Sequence, residues 1–384
     1  MDGCDAIDLA PPKPGEGTQL SIDLPLAAGE ERQVCKLVLL DHKINLNWSD
    51  GAYTQGSHHG LTARTMYRGS LPTENIRGEK VEDPTQVATC EAINSDWDVL
   101  ALIAGGRTAG DDVKTALHGK GTLPDDVALE IEAGEVLVMN FHMLNLTDHP
   151  IRACYKQNLY SIPDAQVKQE AGAMFYYNSF VTIPPLRHGT ATMACPVQHD
   201  VNLGDALSHM HKRGVGYKAV LLDGDPLSGG KEIGTLYEGT AWDEPRVRIE
   251  TPARKLSAGQ WIKWSCEYQN TEDRAIAQGQ QTTDEMCMFL GTYWPRSDAM
   301  DFCMPPGSEN WYSSSRLLSQ GTMNGAQFLE CWNKSPQKLS GGGPDSSAER
   351  YASQRCFTES CSNVSGRIAD FGPGKLDPTT VKCD

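Results

Sequence analysis

The sequence predicts an all-β protein made of antiparallel β-sandwiches. Three observations carry that expectation. Runs of β-forming residues are short and numerous, turn residues punctuate them, and helical periodicity is nearly absent. The runs at 34–40, 135–146, 217–222 and 246–250 are each bounded by Gly, Pro, Asp or Asn. In LLDGDP, 221–226, an Asp-Gly pair follows an apolar strand, which is a hairpin signal. Asp223 and Asp225 could open a calcium loop, but the rest of that pattern is missing and the turn is the better reading. One weak helical candidate spans 111–118.

Composition bounds the partners. The chain has 384 residues, 39% hydrophobic and 22% charged, which fits a globular protein of two domains with an addition. Its net charge of −16 repels phosphate backbones and anionic membranes, so nucleic acid is not expected as a partner. No apolar run reaches the roughly 18 residues of a membrane span. The 12 cysteines are scattered, without CxxC or CxxCH spacing, and read as a disulfide framework formed in an oxidising compartment. The opening MDGCDAIDLAPPKPGEG is polar and Pro-rich. The expectation is a secreted or periplasmic protein whose signal peptide has been removed, Met1 being added for expression. Asn47, Asn145 and Asn363 begin glycosylation sequons, a pattern that arises easily by chance.

The polar stretch SIPDAQVKQEAG, 161–172, is the expected domain boundary. It separates a domain over 20–163 from one over 172–303. Residues 304–384 form a third part, rich in Gly, Ser and Pro, with Cys331, Cys356, Cys361 and Cys383. This part is expected to be an irregular, disulfide-pinned extension.

Candidate metal ligands fall on either side of that boundary. His58 and His59 lie in GSHHG, His142 in NFHML, His209 and His211 in SHMH, and Met286 in TTDEMC. Imidazole suits several transition metals, whereas a thioether is soft and favours Cu(I). Three His beside two His and one Met therefore point to a pair of copper sites. On a strand, the one-residue gap in His209-x-His211 turns both rings to one face. Met286 is expected from a neighbouring strand in the run 285–293. His142 sits in an apolar run that reads as a buried strand, where an imidazole must be hydrogen-bonded or metallated. His58 and His59 are adjacent and would diverge on a regular strand. Both reach one metal only if the backbone bends, which Gly56 and Gly60 permit, or if they bind through different ring nitrogens. Taken singly, each is ordinary: a lone buried His is usually a satisfied core residue, and a lone Met usually packs. Their joint order lifts them above that. His42, His118, His149, His188 and His199 have no such context.

The six residues in this order resemble the copper type II, ascorbate-dependent monooxygenases, the family of peptidylglycine α-hydroxylating monooxygenase and dopamine β-monooxygenase. CEYQNTEDRAIAQGQQTTDEMC, 266–287, is similar to the family's approach to its methionine ligand, HMHKRGVGYK, 209–218, to its HxH strand, and NFHML to its third histidine. The resemblance spans roughly 20–303. It implies two jelly-roll-like β-sandwich domains, each holding one copper. His58, His59 and His142 would form the electron-transfer site, and His209, His211 and Met286 the catalytic one. It further implies bridges Cys266–Cys287, Cys195–Cys303 and Cys35–Cys154, leaving Cys4 with Cys90 and the four cysteines after 303 to pair among themselves. The activity implied is hydroxylation of a substrate C–H with dioxygen and an ascorbate-type reductant.

The departures concern the substrate. Leu207 stands where the peptide-amidating branch has Arg, Met288 where it has Asn, and Leu290 where it has Tyr. Asn140 replaces a Gln, and 61–135 holds far fewer cysteines than the family does. Peptide amidation is therefore disfavoured, and an apolar or aromatic small molecule, with dioxygen, is the expected substrate class. A copper-binding or copper-trafficking protein without hydroxylase activity is the alternative, and the oligomeric state is left open.

Overall fold

The computed structural model describes residues 3–303, apart from 76–77, 91–95, 110–111, 179–180, 184, 227–228, 241, 243–244, 275 and 278–282. The side chains of 58, 107–109, 112–117, 182 and 277 are likewise outside the description. The expected extension 304–384, with its four cysteines, lies beyond it. The chain divides into two compact units. The first comprises Met1–Ala173 with Ile249–Ala253 and Thr292–Arg296, and the second comprises Met174–Arg248 with Arg254–Gly291 and the remainder from Ser297.

The first unit begins with strands β1 (Gly17–Leu26), β2 (Glu31–Leu39), β3 (Ile44–Tyr53), β4 (Ser57–Arg68), β5 (Ala88–Thr89) and β6 (Val99–Ala109). It continues with β7 (Asp112–Leu117), β8 (Val127–Ile131), β9 (Glu135–Leu144), β10 (Ile151–Ser161) and β11 (Gln169–Glu170). Among the described residues these form a five-stranded sheet, ordered β1-β10-β3-β8-β11, and a six-stranded sheet, ordered β5-β2-β9-β4-β6-β7. One core joins them. Ile22, Leu24, Ile44, Leu46, Tyr155 and Leu159 from the first sheet share it with Val34, Leu137, Met139 and Phe141 from the second. Along β9 the odd-numbered residues enter this core, so Asn140 and His142 belong to the opposite face.

The second unit is built on β12 (Gly172–Tyr177), β13 (Thr182–Ile183), β14 (His188–Pro196), β15 (Val201–His209), β16 (Gly214–Leu222) and β17 (Glu232–Gly239). Then follow β18 (Arg248–Leu256), of which Ile249–Ala253 count with the first unit, β19 (Trp261–Gln269), β20 (Ile276–Ala277), β21 (Met288–Trp294), which counts with the first unit from Thr292 on, and β22 (Phe302–Cys303). Its described strands form a sheet ordered β18-β15-β21-β12-β22, a second ordered β14-β19-β16-β17, and the small pair β13-β20. Trp264 of β19 packs on Tyr176 of β12 and Phe289 of β21, with ring centroids 6.2 and 6.4 Å away. These rings fill the space between the two larger sheets. The all-β, sandwich class is therefore borne out.

Two expectations need correction. Residues 112–117 are a strand, not a helix, because β6 offers them an antiparallel ladder with Arg107 opposite Lys114. The bridges of the first unit are Cys4–Cys154 and Cys35–Cys90, not Cys35–Cys154 and Cys4–Cys90. Cys35 lies on β2 in the six-stranded sheet, and the Cys90 N–H binds the Gln33 carbonyl at 3.2 Å, which brings Cys90 beside it. Cys154 lies on β10 in the other sheet, opposite Asp23, where the N-terminal turn Gly3–Ala6 delivers Cys4. Cys195–Cys303 and Cys266–Cys287 are as expected, and both tie one sheet of the second unit to the other.

Smaller features follow the sequence closely. The LLDGDP segment does turn β16 back into β17, with the Asp223 carboxylate accepting the Lys231 N–H at 2.6 Å. The connection runs from 223 to 231, longer than a two-residue turn. Both amide hydrogens of Asn47 are committed to backbone carbonyls, of Pro124 and Val127, and those of buried Asn145 to Ala27 and His149. These two sequons hold structural asparagines, and the one at Asn363 lies outside the described residues. Among the described residues no helix is long and apolar enough to cross a membrane.

Candidate metal centres

The first centre sits on the β4–β9 ladder. His59 lies directly opposite His142, and their ring centroids are 5.4 Å apart. Ser57 pairs with Met143 and His59 with His142, so β4 advances two residues where β9 advances one. The extra residue is His58. A β-bulge of this kind breaks strict alternation, which is the bend that adjacent histidines require. The His58 side chain itself lies outside the described residues. Gly56 supplies the turn into β4 with φ +91°, and Gly60 is needed for contact: a Cβ there would meet the Tyr53 ring at 2.2 Å.

Hydrogen bonds decide which nitrogen each ring offers. The Asn140 amide nitrogen faces the Val34 carbonyl at 3.2 Å, so its oxygen faces His59 Nε2 at 2.8 Å. An amide oxygen only accepts, so His59 carries its proton on Nε2 and its lone pair on Nδ1. His142 Nε2 meets the Glu31 carboxylate at 2.8 Å in the same way. Burial holds the His142 pKa below the ordinary imidazole value despite Glu31, so the ring is neutral, with its lone pair also on Nδ1. Both Nδ1 atoms are buried. Rings anchored through one nitrogen and presenting the other are what a metal site needs.

A buried ion pair fixes the ladder beneath this pair. Arg64 of β4 donates to both carboxylate oxygens of Glu135 of β9, at 2.9 and 2.7 Å. Burial alone would raise the Glu135 pKa, but hydrogen bonds and charge from Arg64 outweigh it and hold it low. The bidentate pair locks the register that sets His59 opposite His142.

The second centre is not built on strands alone, as the one-residue spacing suggested. His209 is the last residue of β15, and His211 lies two residues beyond it in a turn closed by the Gly214 N–H on the His211 carbonyl. The two ring centroids are 5.3 Å apart and nearly perpendicular. Met286, 8% exposed, precedes β21 rather than lying within it. Three contacts hold its segment: Tyr268 donates to the Met286 carbonyl at 2.7 Å, Cys287 is bonded to Cys266, and the Asn178 N–H binds the Cys287 carbonyl.

Glu285 joins the two parts. Fully buried, it accepts the His211 N–H at 2.9 Å and the Arg213 N–H at 2.7 Å. Burial raises its pKa to about 7, against the opposing pull of those N–H groups and Arg213. His211 Nδ1 lies 3.2 Å from the Asp284 carbonyl, so the proton sits on Nδ1 and the lone pair on Nε2. Arg213 also reaches the Thr283 carbonyl and Glu272. The motif DEMC flagged this segment for its methionine; the carboxylate's clamp was visible only once residues 211–213 lay against it.

Among the described residues, no three His, Cys, Asp or Glu side chains gather as a metal group. That count leaves out the His58 side chain and any methionine sulfur. Of the histidines outside the candidate set, His42 and His149 pair with the adjacent Asp41 and Asp148, while His118 is fully buried. The apolar replacements are also buried: Leu207, Met288 and Leu290 are each under 8% exposed. Phe289 belongs to the core between the sheets, so by alternation Met288 and Leu290 share the opposite face of β21.

Two solved structures are weak likenesses of this chain. The major capsid protein P2 of bacteriophage PM2 is 10% identical, with a TM-score of 0.25, covering 72% of this chain and 99% of that one. A structure of infectious bursal disease virus, Gx strain, is 9% identical with a TM-score of 0.18, covering 72% of this chain and 71% of that one. Neither bears on fold or function at such scores. The family comparison is specific: residues 170–316, which contain His209, His211 and Met286, match the model for the copper type II ascorbate-dependent monooxygenase C-terminal domain.

Proposed function

We propose that this protein is a secreted, copper-dependent monooxygenase that hydroxylates a C–H bond of a small, apolar substrate. It takes dioxygen and an ascorbate-type reductant. His58, His59 and His142 hold one copper for electron transfer, and His209, His211 and Met286 hold the second. The observation that carries this reading is the match over 170–316 to a copper- and ascorbate-dependent family, on a segment that contains His209, His211 and Met286. Copper bound there would supply a metal that cycles through its reduced state and activates dioxygen toward a C–H bond.

The chain's own residues supply position. Asn140 and Glu31 orient the rings of the first centre so that Nδ1 is the donor atom. The Asp284 carbonyl orients His211 so that Nε2 is the donor. Leu207, Met288 and Leu290 offer no charge to a peptide carboxylate, which argues against peptide amidation.

The test is ascorbate-driven oxygen uptake coupled to product, screened over phenethylamines, peptides and apolar alcohols, with Met286→Ile as control. Coupled turnover in the wild type, absent from the variant, is expected. Equal uptake in both proteins excludes a catalytic Met286, and copper binding without turnover on any substrate favours a copper-carrying protein instead.

A further inference from the structure

A buried carboxylate is costly unless its surroundings use it. Glu285 is fully buried, yet in the contacts described it meets no side chain of a proposed ligand. Its two oxygens accept the main-chain N–H groups of His211 and Arg213, and the buried Arg213 guanidinium lies 3.8 Å from Oε1. Two oxygens set to meet N–H groups two residues apart are what an ionised carboxyl group offers and an amide, with its single acceptor, does not. Segment 283–285 grips the same turn through two carbonyls, that of Thr283 on Arg213 and that of Asp284 on the His211 ring. The next two residues, Met286 and Cys287, are fixed in turn by Tyr268, Asn178 and the Cys266–Cys287 bridge.

We infer that Glu285 is a positioning residue: it transmits the fixed place of the Met286 segment to the turn that carries His211, setting that imidazole in ligating register with the sulfur. The role rests on the copper reading of this centre. The carboxylate itself does not ligate. Glu285→Gln is close in size but has one acceptor and presents an NH2 group to one of the two N–H groups. Glu285→Asp is shorter by one methylene and reaches neither well.

The test uses the full-length protein with two readouts. In the metal-free form, amide hydrogen exchange at His211 and Arg213 is compared with that of β19. Both are expected to be protected in the wild type and to exchange at least about tenfold faster in Glu285→Gln, as for loss of a bond to a charged acceptor. In the Cu(I)-loaded form, X-ray absorption is expected to show a copper–sulfur shell in the wild type. Glu285→Gln should lose it with its four described disulfides intact and first-centre copper retained, and Glu285→Asp should not restore it. Fast exchange of the two amides in the wild type overturns the clamp, even if no variant folds. An unchanged sulfur shell in Glu285→Gln overturns the positioning role while the copper reading stands. Absence of that shell from the wild type, with the two amides protected, overturns the copper reading and the role together.

Discussion

The two candidate centres are made in different ways. The first is a product of sheet register: two histidines face each other across one ladder, and an ion pair a few residues along holds that ladder in phase. The second lies just past the ends of two neighbouring strands, β15 and β21, where a turn and a pre-strand segment are joined by a buried carboxylate. The donor atoms differ accordingly. The first pair is anchored through Nε2 and offers Nδ1, the atom nearer the backbone, whereas His211 is anchored through Nδ1 and offers Nε2.

The sharpest way to break this comparison is His211→Ala. Turnover should fall below detection while the first centre keeps its copper, and oxygen uptake with metal stoichiometry would show it. Loss of both coppers would mean the centres are not separate. The next effect is on the ladder. Arg64→Ala leaves the Glu135 carboxylate buried with Arg68 as its remaining cation, and should cost about 3 kcal/mol in urea denaturation. A loss under about 1 kcal/mol would show that register does not depend on the pair.

His118 serves as an internal control, a buried imidazole of the first unit outside both centres. Burial pushes its pKa down to about 4, below the value of about 6.5 that the unfolded chain would show. The unfolded state therefore binds the proton first. Stability is whole above pH about 6.5 and falls by about 3 kcal/mol as pH drops toward 4. His118→Gln should flatten this slope, and copper should leave its share unchanged. A slope identical in the variant would assign the acid loss elsewhere. The smallest effect is Asn140→Ala, which frees the His59 ring and should weaken copper at the first centre by about 10–100-fold without touching the second. Equal weakening at both, by competitive copper titration, would deny the separation of the two supports.

Much of the first centre was legible. The apolar run around His142 announced a buried strand, and the glycines around His58 and His59 announced a departure from regular alternation. The bulge that realises it was not legible, because pairing register depends on which strand lies opposite. The pairing of Cys4 and Cys35 escaped for the same reason: each bridge follows from the sheet its strand joins. In the second centre the HxH spacing suggested a strand for both rings, but the strand ends at His209, where the chain turns so that Glu285 can meet the following N–H groups. Residues 112–117 had a faint helical pattern that ladder bonds with β6 overrode.

Residue types and their order pointed, without any coordinates, to an all-β chain with six candidate ligands, five of its ten histidines and one of its twelve methionines, on either side of one boundary. Those are properties of single side chains and of strand periodicity. Which nitrogen of each ring carries the lone pair, and how the turn of His211 is tied to the segment of Met286, only the tertiary structure decided. A proton goes to the nitrogen that finds an acceptor, and those acceptors, Asn140, Glu31 and the Asp284 carbonyl, come from segments 73 to 111 residues away.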